Sequence, residues 1–187
     1  MTYDELRARL KARQALIVHF SHHAAMRGEL VYPTDLRQVF AEQEAWPLSC
    51  SVLTPGHRMK VVGSVGVVLE PRTAEDVLRV YHDDAGAYAE GSNNHSLGEL
   101  LSAASFDASL NRVAPGSYNE WRVRGAKPVG LFIEDPANIE VRHKAQCELP
   151  WGTETIIAPK RICLAEVRTA FPDKPIWTMD SNGPRLL

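Results

Sequence analysis

Cysteine is scarce in this 187-residue sequence, and the cysteines that are present form no pattern. The three residues Cys50, Cys147 and Cys163 are odd in number and share no CxxC spacing. A disulfide framework needs paired cysteines in an oxidising compartment. The sequence therefore predicts reduced thiols, as in a cytoplasmic protein.

Long apolar runs and an excess of positive charge are also missing. No apolar stretch approaches the ~20 residues that a membrane-spanning helix needs, and the acidic, helix-like N-terminus does not resemble a signal peptide. The formal net charge of −2 gives no global attraction for phosphates, although a local basic groove stays possible. We therefore expect a cytoplasmic globular protein with no membrane partner.

The sequence contains no internal repeat, low-complexity tract or convincing linker, so we expect one domain over residues 1–187. Helical spacing dominates the first half and short strands crowd the second half, which indicates an α+β fold. The expected helices cover residues 4–14, 35–46 and 97–106. The expected strands cover residues 15–21, 48–53, 61–69, 118–123, 129–134, 139–142, 154–158, 162–167 and 176–179. Residues 77–81 fit either a helix end or a strand, and residues 83–96 form the longest expected loop.

One buried strand runs directly into a polar cluster. The branched apolar residues of 16–18 lead into His19, Ser21, His22 and His23. Polar groups at the end of a buried strand must be hydrogen-bonded or functional. Imidazole is a common metal ligand, but no second cluster of His, Cys or carboxylate lies at ligand spacing nearby.

A second strand carries a single acid among aromatic residues. Alternation places Glu120 on the same side as Tyr118 and Arg122, and opposite Trp121 and Val123. If Trp121 and Val123 face the core, Glu120 faces a cleft or solvent. An acid beside rings and cations suits an anionic ligand that carries a base.

A nucleophile is harder to find. Cys50, His57 and either Asp76 or Asp83 could serve as nucleophile, base and orienting acid. Cys50, however, lies inside an apolar strand, where a free cysteine usually packs as a small hydrophobe.

The run from His19, His-Phe-Ser-His-His-Ala-Ala-Met, resembles the His-x-Thr-His-x-x-Asn-Leu opening of the DarT-type ADP-ribosyltransferases. His19 and His22 match the two family histidines, and Ser21 matches the threonine conservatively. Ala25 stands at the asparagine position.

Two later segments resemble the same family in the same order. Residues 51–59, Ser-Val-Leu-Thr-Pro-Gly-His-Arg-Met, resemble its Phe-Ser-Pro-Arg-x-Pro-Met segment, with Gly56 at the arginine position and Arg58 close by. Glu120-Trp-Arg-Val resembles the strand that begins with the catalytic glutamate. The resemblance covers about residues 15–135, and the tail, residues 144–187, has no match.

The resemblance implies a fold of split antiparallel β-sheets flanked by short helices, and NAD as a substrate. It implies transfer of ADP-ribose to a nucleic-acid base or a protein side chain, as in a toxin. Single-stranded DNA or another nucleic acid, and a neutralising partner protein, are the implied partners. The implied catalytic residues are Glu120 and Arg58, and the implied NAD-binding residues are His19, Ser21, His22 and Tyr118.

Two alternatives stay open at the level of sequence. The first is a non-catalytic nucleotide- or partner-binding domain of the same fold, which the glycine at position 56 favours. The second is a metal-dependent hydrolase that uses His19, His22 and His23.

Overall fold

The structure, a computed structural model, describes residues 1–20, 47–59, 64–83, 98–111 and 116–187. In these ranges the helices are α1 (Tyr3–Ala12), α2 (Ala103–Asn111) and α3 (Leu164–Ala170). The strands are β1 (Leu16–Phe20), β2 (Leu48–Leu53), β3 (Val65–Glu70), β4 (Val77–Tyr81), β5 (Glu120–Val123), β6 (Lys127–Ile133), β7 (Ile139–Leu149), β8 (Gly152–Ile162), β9 (Ile176–Asp180) and β10 (Gly183–Leu186). Across the described ranges, no helix has the length and apolar character needed to cross a bilayer.

Local hydrogen bonds explain where the helices begin. The Thr2 hydroxyl accepts a hydrogen bond from the Glu5 backbone N–H, and the Glu5 carboxylate accepts one from the Thr2 N–H, so α1 starts with a capping box. The Ser102 hydroxyl accepts a hydrogen bond from the Ser105 N–H at the start of α2. Each cap satisfies backbone donors that the first turn leaves without partners.

Eight of the described strands pair into one sheet in the order β10-β9-β6-β3-β1-β2-β5-β4. Neighbouring strands are antiparallel, except β6 and β9, which are parallel. Strands β7 and β8 form a separate antiparallel hairpin that is paired from Ile139 and Ile162 to Leu149 and Gly152. The expected α+β class is confirmed as three short helices with a large, mainly antiparallel sheet.

The sheet separates two hydrophobic clusters of different size. Neighbouring residues of one strand, such as Ile17 and Val18 or Val52 and Leu53, belong to different clusters because side chains alternate across a sheet. The larger cluster also receives side chains from all three helices and defines the core face of the sheet. The smaller cluster defines the opposite face, and its buried members are Val18, Phe20, Leu53, Met59, Val68 and Phe132.

The structure corrects several predicted boundaries in the first 111 residues. Residues 98–101 are not helical, because Gly98 has a φ of +69° and Glu99 pairs with Val80, so α2 begins only at Ala103. Residues 77–81 are strand β4. The predicted helix over residues 35–46 and most of the loop over residues 83–96 lie outside the described residues.

The tail contains the largest error. The predicted strand over residues 162–167 is wrong, because β8 ends at Ile162 and α3 begins at Leu164. The Glu166 carboxylate accepts a hydrogen bond from the Cys163 N–H at 2.8 Å and caps that helix. Strand β10 had no clear sequence signal, since Gly183 and Pro184 are poor strand residues.

Candidate functional site

Glu120 is the first residue of β5 and lies on the opposite face of the sheet. Trp121 and Val123 belong to the core-face cluster, so alternation turns Glu120 and Arg122 to the other side. The sequence predicted this division correctly. Of the two predicted environments, a cleft or solvent, solvent is excluded, since Glu120 is only 3% exposed. A buried carboxylate requires partners.

Two donors hold one oxygen of the Glu120 carboxylate. Oε1 accepts a hydrogen bond from the Ser49 hydroxyl at 2.7 Å and lies 2.8 Å from Nε of Arg122. Charge-assisted bonds of this length are the stronger kind in proteins. The carboxylate is therefore fixed in orientation on the strand.

Ser49 connects Glu120 to the first strand. Nδ1 of His19 lies 2.7 Å from the Ser49 carbonyl oxygen, while the Ser49 hydroxyl donates to Glu120. A carbonyl oxygen only accepts, so Nδ1 of His19 carries the proton in this contact. His19 alternates with Val18 and Phe20 of the smaller cluster, so it approaches Ser49 from the core face, whereas the Ser49 hydroxyl and Glu120 lie on the opposite face. The link between His19 and Glu120 therefore runs through the Ser49 backbone.

Ser49 was missed by the sequence analysis, although the strand pattern contained a signal. In β2, Ser49 and Ser51 alternate with Cys50 and Val52, so one side of an otherwise apolar strand carries hydroxyl groups. A strand with one polar side beside a strand with a buried acid is a pattern that indicates a polar site. Ser21, His22 and His23 lie outside the described residues.

Arg58 lines a cavity that also contacts Asn119, the residue before Glu120. Arg58 is an exposed residue in the segment after β2, and the volume of this cavity is about 270 Å³. The described residues that line this cavity are Val52, Thr54, Pro55, Gly56, His57, Arg58, Met59, Leu110 and Asn119. Glu120 is not among them, so this cavity does not unite the two residues that were predicted to be catalytic. Tyr118 packs against the smaller cluster, on the same face as Glu120.

The turn before Arg58 explains the glycine at position 56. The His57 N–H donates to the Thr54 carbonyl at 3.1 Å, and Gly56 has a φ of +67°. In a β-turn whose second residue is proline and whose third residue has a positive φ, glycine is the favoured third residue. An arginine at position 56 would be strained in this backbone, whatever space surrounds it.

The buried side chain of His57 lies close to the half-buried carboxylate of Glu134. Its Nε2 lies 3.7 Å from Oε2 of Glu134, and its side chain is 8% exposed. Among the described residues, its Nδ1 and the Glu134 Oε2 have no hydrogen-bond partner. Burial lowers the pKa of His57, while burial and then the charge of Asp135 raise the pKa of Glu134. Both shifts favour the neutral forms.

The cysteine alternative finds no support in these contacts. Cys50 is 2% exposed in the core-face cluster, and its Sγ lies 3.7 Å from the Leu48 carbonyl. Burial raises the pKa of the Cys50 thiol strongly, and the Glu120 charge adds to the increase. A thiol held in its protonated form is a poor nucleophile. His57 pairs with Glu134 instead.

The metal alternative depends on residues that are not all described. Within the described ranges, no group of three or more His, Cys, Asp or Glu side chains is arranged to hold a metal ion. His19 is described and contacts a carbonyl oxygen, but its two predicted co-ligands are not. The described part of the chain therefore offers hydrogen-bonding chemistry around Glu120 rather than a metal centre.

Comparison of the chain with protein-family profiles, with curated proteins and with solved structures finds no match in any of the three.

Proposed function

We propose that the protein is an NAD-dependent mono-ADP-ribosyltransferase that modifies a nucleic-acid base or, as a second choice, a protein side chain. The observation that carries the proposal is Glu120, a buried carboxylate fixed by Ser49 and Arg122, with the Ser49 backbone in contact with His19 of β1. The proposal includes the finer fold, in which the sheet that carries Glu120 is an ADP-ribosyltransferase-like sheet. The motif resemblance in residues 15–135 supports the choice of NAD.

The reaction that this arrangement suits is a substitution at the ribose carbon that bears nicotinamide. The bond between that carbon and the nicotinamide nitrogen breaks, and the bonding electrons leave with nicotinamide. The acceptor nucleophile forms a new bond to the same carbon and releases its proton. A fixed carboxylate stabilises the positive charge that develops on the ribose, and it can take the acceptor's proton.

The residues around Glu120 take supporting roles in the proposal. Ser49 and Arg122 orient the carboxylate, so that its second oxygen is directed toward the ribose. His19 fixes Ser49 through the carbonyl contact, and in the proposal His19, Ser21, His22 and Tyr118 bind NAD. Preorganisation of this kind lowers the energetic cost of reaching the transition state.

Arg58 receives a separate role, because its cavity does not include Glu120. An exposed guanidinium near a turn is suited to holding the acceptor, either a strand of nucleic acid or a protein segment. In this proposal Arg58 contributes to acceptor binding, and a neutralising partner protein would cover the same region.

A second candidate is a nucleotide- or partner-binding domain without catalysis. The absence of Glu120 from the cavity that Arg58 lines, together with Gly56 at the arginine position, favours this candidate. It predicts NAD binding or partner binding with no nicotinamide release.

The deciding experiment uses NAD labelled in the adenylate group. The purified protein is incubated with labelled NAD and, separately, single-stranded DNA, RNA and a protein mixture. The proposal predicts label on one acceptor class, or release of nicotinamide by hydrolysis. Binding of NAD without label transfer or nicotinamide release supports the second candidate. No binding at millimolar NAD contradicts both.

A further inference from the structure

Two arginines lie directly opposite each other on the face that carries Glu120. Arg79 of β4 pairs with Arg122 of β5, and Tyr81 pairs with Glu120. The register shifts between Val77 and Arg79, so β4 contains an irregularity at this point. Beyond it, Val80 belongs to the core-face cluster. Arg79 and Tyr81 therefore project to the same side as Glu120 and Arg122.

Among the described residues, Arg122 forms an ion pair with a carboxylate and Arg79 does not. Arg122 uses Nε to contact Glu120, and Arg79 uses one terminal nitrogen to donate to the Leu78 carbonyl at 2.7 Å. Like charges directly opposite on neighbouring strands destabilise a sheet. Two guanidinium groups therefore lie opposite each other, and the Glu120 carboxylate contacts that of Arg122.

The position of the two arginines leaves them accessible. The Arg122 side chain is 40% exposed, Arg79 is half-buried, and β4 is the last of the described strands at its end of the sheet. On the outer side of β4, Val80 exchanges two backbone hydrogen bonds with Glu99, whose carboxylate lies 3.2 Å from His82. Because Glu99 lies opposite Val80, a residue of the core-face cluster, its side chain is on the other face of the sheet from Arg79.

We propose that Arg79 and Arg122 form a subsite for a diphosphate group. Two adjacent guanidinium forks match two linked phosphoryl groups, because each fork can donate in parallel to two oxygens. The bound anion removes the repulsion between the two cations. The inference rests on the proposed function, because it assigns the diphosphate of NAD to Arg79 and Arg122 and the nicotinamide ribose to Glu120.

The test measures binding by calorimetry with two probes, inorganic pyrophosphate and ADP-ribose. The principal variant is Arg79→Gln, because Arg79 does not contact Glu120 in the structure. The matched control is Arg185→Gln, which changes an arginine of β10 at the far edge of the same sheet, where its Nε lies 3.6 Å from Asp180. We expect Arg79→Gln to weaken both probes by about tenfold or more, the effect of losing a charged hydrogen bond. Arg185→Gln should bind like the wild type.

A second variant covers the case in which Arg79→Gln does not fold. Arg79→Lys keeps the charge but loses the planar fork, so it should bind both probes more weakly than the wild type and respond more steeply to salt. Wild-type affinity in either folded variant, or no pyrophosphate binding by the wild type, overturns the subsite. Arg79-dependent binding of an oligonucleotide, with none of pyrophosphate, overturns it as well.

The experiments distinguish failure of the diphosphate subsite from failure of the proposed transferase function. Pyrophosphate binding that depends on Arg79, without any turnover of NAD, supports the subsite and contradicts the transferase. Turnover of NAD with a KM that Arg79→Gln leaves unchanged supports the transferase and contradicts the subsite.

Discussion

The two faces of the eight-stranded sheet differ in what they bury. The core face buries apolar side chains under three helices, where the Trp121 indole N–H donates to the Ser109 hydroxyl at 3.1 Å. The opposite face combines a smaller apolar cluster with the connected polar groups of Ser49, Glu120 and Arg122. Polar groups inside a protein add little net stability even when they are paired. We therefore expect the core face to contribute most of the stability, whereas the opposite face carries the carboxylate on which the proposed function depends.

The largest expected effect lies on the core face at Trp121. This side chain is fully buried, and its ring meets Phe106 edge to face at 5.7 Å between centroids. Trp121→Ala should lower the free energy of unfolding by about 3–5 kcal/mol, because it leaves a large cavity. Urea unfolding measures the loss, with Ser49→Ala as the comparison from the opposite face. Equal losses in the two variants would contradict the division between the faces.

The next effect concerns the turn at Gly56. Both Gly56→Ala and Gly56→Arg should cost about 1 kcal/mol, because each places a Cβ in a left-handed backbone conformation. Neither should raise the rate of NAD turnover, although Gly56→Arg restores the residue type of the resembling family. Thermal unfolding and a turnover assay of both variants check this. A gain in turnover by Gly56→Arg alone would show that the position accepts a functional arginine.

The smallest effect is a pH dependence at Glu134. Its pKa is raised above the ordinary 4.5, so the folded protein holds this proton more tightly than the unfolded chain does. The stability that it contributes is complete below pH 4.5 and is lost as the pH rises through the raised pKa. Glu134→Gln should therefore gain stability relative to the wild type as the pH rises, by a few tenths of a kcal/mol, because water still screens this half-buried group.

Melting temperatures measured from about pH 4 to about pH 8 test the Glu134 prediction. Glu140→Gln is the control, since Glu140 is exposed on β7. His57 acts in the other direction: its lowered pKa makes its contribution complete above the ordinary 6.5 and lost as the pH falls through the lowered value. A constant difference between Glu134→Gln and the wild type across the range would show that Glu134 is not shifted.

The sequence predicted those features of the fold that follow from local patterns, above all the alternation of side chains along a strand. It located β2 at residues 48–53 and assigned Glu120 and Trp121 to opposite sides, because a period of two specifies the side of each residue. It also identified the α+β class, although two of the three described helices lie in the second half of the chain and four of the ten described strands lie in the first. These features depend on neighbours along the chain.

The sequence could not predict what depends on contacts between distant segments. The burial of Glu120 depends on Ser49, which lies 71 positions away and whose pairing with β5 no local pattern specifies. The pairing of Arg79 with Arg122 depends on the register of β4 after its irregularity. The helical state of residues 164–170 competed with an apolar run that also fits a strand, and the Glu166 cap decided it.

The most direct test of the account compares NAD turnover by Glu120→Gln and by Glu70→Gln, which changes an exposed acid at the end of β3. Glu120→Gln keeps the size of the side chain and an acceptor for Ser49, so we expect a loss of about 1–2 kcal/mol in stability and a folded protein. The account predicts near-normal NAD affinity and turnover reduced at least about a hundredfold in Glu120→Gln, with wild-type turnover in Glu70→Gln. A folded Glu120→Gln variant that turns over NAD like the wild type would contradict the assignment of Glu120 as the catalytic acid.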